Sequence, residues 1–124
     1  MKFTNGCWLM QEGVHCFSPA HVYAADVNDR RARLLCPTQK IRSRGDTLGG
    51  VNLTMEIDAP MVGVLRVRMM HHMGLQPRGP QFELNLHQAA SLQAQESQDA
   101  VTVHSGALSV VIEKETAKMT FLRD

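Results

Sequence analysis

The stretch Leu53-Thr54-Met55-Glu56-Ile57 alternates apolar and polar side chains with a period of two, and Leu65-Arg66-Val67-Arg68-Met69 repeats the pattern. Successive side chains of a strand point to opposite faces, so each stretch reads as a strand buried on one face and wet on the other. Working outward, the same pattern predicts strands over residues 7–10, 21–27, 33–36, 82–86, 101–104, 108–113 and 118–122. Turn chemistry separates them: Asn28-Asp29, then Arg44-Gly45-Asp46 and Gly49-Gly50 ahead of Val51, Asp58-Ala59-Pro60 after Ile57, and Ser105-Gly106 ahead of Leu108. Residues 87–100 carry Gln, Ala, Leu and Glu in helix-favouring proportions, yet Leu92 and Ala94 are spaced to face inward from a strand, so a strand followed by a turn over 95–99 is expected. Short strands at this spacing make an all-β fold, an antiparallel β-sandwich.

Composition agrees with one folded domain over residues 1–124, with no repeat, low-complexity tract or linker. The chain has 13 Lys+Arg against 12 Asp+Glu, a formal charge of +1, and 44% hydrophobic residues, too apolar and too balanced for a disordered tail. No run of some eighteen apolar residues offers a membrane span, so no membrane partner is expected. Folding at this length buries about two-thirds of the surface that the unfolded chain exposes, so a core can form without disulfide staples.

Cys7, Cys16 and Cys36 are odd in number and none are spaced Cys-x-x-Cys, which predicts reduced, buried thiols. Met1-Lys2-Phe3-Thr4-Asn5-Gly6 lacks the apolar core of a signal peptide, and a cytoplasmic location is expected.

The chemistry-bearing residues nominate no catalytic site. The six histidines, at 15, 21, 71, 72, 87 and 104, show no zinc-ligand spacing, and adjacent His71 and His72 fall on opposite faces of a strand, so no metal is expected. Gly45, Gly49 and Gly50 fit neither phosphate-binding pattern and read as turns, so no nucleotide cofactor is implied. Ser105-Gly106, Cys36-Pro37 and Ser18-Pro19 are ordinary turn sequences rather than nucleophile elbows, and the carboxylates are spread over turns and exposed strand faces. Six of the thirteen cations, Arg30, Arg31, Arg33, Lys40, Arg42 and Arg44, crowd residues 30–44 and could track phosphates. With 5% aromatic residues and no interleaved ring to stack on bases, a solvated face is favoured and no nucleic acid is expected.

Five segments resemble, in order, the N-terminal domain of bacterial α-xylosidases of glycoside hydrolase family 31. They are Asn5-Gly6-Cys7-Trp8-Leu9-Met10-Gln11-Glu12-Gly13, Gly63-Val64-Leu65-Arg66-Val67-Arg68-Met69-Met70-His71, Arg78-Gly79-Pro80-Gln81-Phe82-Glu83-Leu84-Asn85, Ser105-Gly106-Ala107-Leu108-Ser109-Val110 and Phe121-Leu122-Arg123. Cys7, Cys16, Cys36 and residues 47–52 and 89–100 depart from the family's pattern. The resemblance implies a sandwich of the galactose-mutarotase-like type ahead of a (β/α)₈ catalytic barrel. It also implies a retaining α-glycosidase, in which one Asp attacks the anomeric carbon and another serves as acid and base, about 5–5.5 Å apart. Both carboxylates belong to the barrel, so no catalytic, cofactor-binding or metal-binding residue is carried onto this chain, and no cofactor is implied.

Three classes follow: an accessory domain supporting a glycosidase barrel and its carbohydrate substrate entrance, a free-standing carbohydrate-binding sandwich, and a basic nucleic-acid module. A sugar-binding face presents exposed rings, whereas Trp8, Tyr23 and the four Phe residues mostly occupy core-like alternation, which favours the accessory domain. The last strand pattern, ending in Met119, Phe121 and Leu122, runs almost to Asp124. The segment is therefore expected to be a fragment of a longer multidomain glycosidase, with an apolar patch that docks on its catalytic barrel or self-associates as a homo-oligomer.

Overall fold

The computed structural model describes residues 15–71 and 92–124, together with residue 13 and the backbone of residues 3–4 and 7–8. β1 (Phe3–Thr4) and β2 (Cys7–Trp8) pair as a short antiparallel ladder. β3 (Ala24–Val27), β4 (Arg31–Pro37), β5 (Asn52–Met61) and β6 (Val64–His71) form one antiparallel sheet in the order β3-β4-β5-β6. β7 (Gln93–Glu96), β8 (Ala100–Ser105), β9 (Leu108–Glu113) and β10 (Met119–Arg123) form the second, in the order β10-β9-β8-β7. β3 faces β7, β5 and β6 face β8, and β6 faces β9, so the two four-stranded sheets stack as a β-sandwich.

The period-two pattern sets which side chains fill it. Ala32, Leu34 and Cys36 from β4, and Leu53, Met55, Ile57 and Ala59 from β5, meet Val101 and Val103 from β8 and Val110 and Ile112 from β9. Leu34, Met55, Ile57, Val101, Val103, Val110 and Ile112 are wholly removed from water, each contributing about 1.5–3 kcal/mol by burial. Expected strands 33–36, 53–57, 65–69, 101–104, 108–113 and 118–122 all appear, within three residues at their ends except at the C-terminal end of β5. Leu92 and Ala94 do face the core, the first buried and the second half-buried. The expected strand over 82–86 lies outside the described residues.

Four expectations are corrected. Asp58-Ala59-Pro60 is strand rather than turn: Ala59 is buried, Pro60 falls where the β5–β6 register shifts and no ladder donor is needed, and the chain reverses at Val62-Gly63, with Gly63 at φ 75°. The strand over 21–27 is shortened, because the Val22 amide crosses to the Lys114 carbonyl just past the end of β9, 2.7 Å, while Ala20 and Tyr23 bond to β4. Arg44–Leu48 is a short 3₁₀ helix, capped by Asp46, rather than a bare turn. Gln95 and Glu96 belong to β7, so the turn begins at Ser97, whose hydroxyl bridges to the Ala100 backbone.

Candidate functional site

Three surfaces among the described residues bring polar or exposed apolar side chains together. The first is the outer face of the β3–β6 sheet, where register brings residues distant in sequence into rows: Asp26, Arg33, Glu56 and Arg68 across four strands, and Arg31, Asp58 and Arg66 across three. Arg66 grips Asp58 with two bonds, Nε to Oδ1 at 2.8 Å and Nη2 to Oδ2 at 2.7 Å, while Arg68 Nη2 donates to Asp58 Oδ2 at 3.1 Å. That bidentate bond makes the Arg66 guanidinium hold its proton more tightly than usual. Glu56 lies at 3.1 Å from Arg68, 3.7 Å from Arg31 and 3.8 Å from Arg33, and is only 3% exposed although it points away from the core. The expectation of carboxylates scattered on exposed faces is corrected here: three arginine side chains roof one of them.

A second surface is an open groove on the same face, at the end where the 3₁₀ helix folds over β3, β4 and β5. Tyr23, Leu35, Pro37 and Ile41 form its apolar wall, and Asp46, Thr47, Gly50 and Asn52 its rim. Asp46 Oδ2 accepts the backbone N–H groups of Arg42, 2.9 Å, and Ser43, 2.8 Å, and these bonds hold its carboxyl below the usual range. Thr47 donates its hydroxyl to the Arg44 carbonyl at 2.7 Å, and the Gln39 amide donates to the Asp46 carbonyl.

The third surface is the end of the sandwich where the β5–β6 and β8–β9 turns meet. Gly63, Ala107, Leu108 and Arg123 line a shallow cleft there, and the Asp124 amide donates to the Ala107 carbonyl at 3.0 Å. Met61 ends β5 and Val62, 74% exposed, stands in the first turn, and Phe121 and Leu122 occupy the adjoining end of β10.

The sequence candidates separate in space. The basic stretch is divided: Arg31 and Arg33 join the carboxylate rows, Lys40 pairs with Glu115, Arg42 precedes the 3₁₀ helix and Arg44 begins it. Among the described residues no three His, Cys, Asp or Glu side chains converge on a point that could hold a metal. His72 and His87 lie outside those residues. Cys36 is buried and its thiol pushed up to about 11 by desolvation, but Cys16 is exposed, which corrects the expectation of uniformly buried thiols. Ser105 is buried, and its hydroxyl is engaged by the β5–β6 turn.

The aromatic expectation is also corrected: Phe17, Tyr23 and Phe121 are all exposed. Alternation misplaced Tyr23 because the chain crosses between the sheets at Val22, breaking the period there. Phe121 shares the core-facing side with Val110, but β10 is an edge strand. The groove itself left one sequence signal, Ser43 three residues before Asp46, the spacing of a capping pair.

No family model matches the chain. Over 85 residues it is 35% identical to the α-xylosidase XylQ of Lactiplantibacillus pentosus and 34% identical to an α-xylosidase of Emericella nidulans. Each match takes in 68% of this chain and 11% of the relative, so the chain spans about a ninth of the length of the curated relatives it matches.

Proposed function

We propose that this α-xylosidase-related chain is the N-terminal accessory sandwich of a retaining α-glycosidase of family 31, one that removes terminal α-xylosyl groups and works in the cytoplasm. The observation that carries the proposal is the match over 68% of this chain to 11% of two α-xylosidases, which gives the segment the size of one domain among several. On this reading the catalytic pair lies outside the sandwich. Glu56 and Asp58 share one face of the sheet, and both are engaged by arginines. The nucleophile and the acid/base therefore belong to a barrel outside this segment, and the exposed Met61, Val62, Phe121 and Leu122 supply apolar surface to pack against it.

The experiment is hydrolysis of an aryl α-xyloside by the natural protein containing this segment, beside the 124-residue chain alone and an aryl α-glucoside. Turnover of the xyloside by the natural protein and none by the chain alone is expected. Turnover by the chain alone that disappears when Glu56 and Asp58 are changed to Gln and Asn would overturn it.

A further inference from the structure

We infer that the groove between Tyr23 and the 3₁₀ helix binds the pyranose ring of a neutral saccharide. A pyranose has an apolar face of C–H groups and a rim of hydroxyls, and recognition needs a flat ring for the one and fixed hydrogen-bonding groups for the other. Tyr23, the single tyrosine of the chain, is 59% exposed and stands in one wall with Leu35, Pro37 and Ile41. His21 packs edge-on against it, ring centroids 6.2 Å apart at 76°, which restricts the swing of the tyrosine ring.

The rim supplies the polar half. Asp46 uses Oδ2 on the Arg42 and Ser43 amides and keeps Oδ1 free of any partner among the described residues, so one carboxylate oxygen is held ionised and open. The Asn52 side chain likewise has no hydrogen bond to a described residue and offers both a donor and an acceptor. The Asp46 carboxylate is fixed before any ligand arrives, because the Thr47–Arg44 and Asp46–Ser43 bonds order the short helix and the Gln39–Asp46 bond ties it to the preceding loop. Charge argues against an anionic ligand, which would face the Asp46 carboxylate in the rim.

That the sugar is an α-xyloside rests on the proposed function, whereas the ring-and-amide chemistry of the groove stands without it. The test is an amide NMR titration of the 124-residue chain with methyl α-D-xylopyranoside, with glycerol as a hydroxyl-bearing control that has no ring. Saturable shifts at Thr47, Gly50 and Asn52 in the millimolar range are expected. Tyr23→Ala should weaken binding at least tenfold while amides outside the groove keep their positions, Tyr23→Phe should preserve it, and Asn52→Ala should weaken it several-fold. Absence of shifts, equal shifts with glycerol, or binding that survives Tyr23→Ala would overturn the site. Binding at the groove with no xyloside hydrolysis by the natural protein would sustain the site and remove the proposed function, and the opposite pair of results would do the reverse.

Discussion

The Ser105 hydroxyl, carried on β8 in one sheet, accepts the backbone N–H of Gly63 from the β5–β6 turn in the other at 3.1 Å, and it donates to the Met61 carbonyl at 3.2 Å. One buried side chain thus bonds both a donor and an acceptor of the β5–β6 turn, and it latches the two sheets at the end where β10 finishes.

Ser105→Ala leaves that donor and acceptor without their partner, which costs about 1–3 kcal/mol. Ser97→Ala, at an exposed turn, should cost under about 1 kcal/mol. Urea unfolding of the two variants measures the difference, and equal midpoints would show that the latch contributes nothing.

Gly106 is at φ 60°, and a side chain there would put its Cβ 3.1 Å from Val62 Cγ1 and 3.3 Å from the Gly63 nitrogen. Backbone strain of about 1–2 kcal/mol and displacement of the facing turn should add in Gly106→Ala. Gly49→Ala, with nothing within 4 Å, is the control and should unfold close to the parent midpoint.

Glu56 holds apart three arginines whose side chains are 40–47% exposed. Glu56→Gln removes the charge between them, so their mutual repulsion remains; because each guanidinium can turn toward water, the cost should be about 1–2 kcal/mol rather than that of a sealed ion pair. Salt screens the remaining repulsion, so the variant should gain stability between low and high ionic strength relative to the parent. Parallel salt dependence in the two proteins would contradict the arrangement.

Burial raises the Cys36 thiol from 9.0 to about 11. Its folded-state value lies above its unfolded value, so the neutral thiol's contribution is complete below pH 9 and is lost as pH rises through about 11. Denaturant midpoints measured across that window should fall less steeply for Cys36→Ala than for the parent. In a Cys7→Ser background, a thiol reagent at pH 8 should modify Cys16 at once and Cys36 only on unfolding.

Sequence periodicity located the sheets because Leu34, Met55, Ile57, Val103 and Ile112 each need a dry face, and burial on one face enforces a period of two. It could not see pairs made across strands. Arg66 and Arg68 read as solvent-facing residues, yet register places Asp58 and Glu56 directly opposite them, so Arg66→Ala, expected from alternation alone to be cheap, removes a bidentate bond from a half-buried carboxylate. Pro60 mimicked a turn because proline's missing donor suits a turn and a bulge equally well. The groove was hidden for a third reason: its wall comes from residues 23–41 and its rim from 46–52, joined by one hydrogen-bonded helical turn rather than by any periodic element.

The proposed function requires that this sandwich belong to a larger hydrolase. The most direct measurement is the intact mass of the natural protein, isolated from its source under denaturing conditions through an antibody to residues 100–124, together with its turnover of an aryl α-xyloside before denaturation. The account predicts a single chain several times heavier than 13.8 kDa that releases the aryl group. A species of 13.8 kDa alone, with no xyloside turnover, would contradict it.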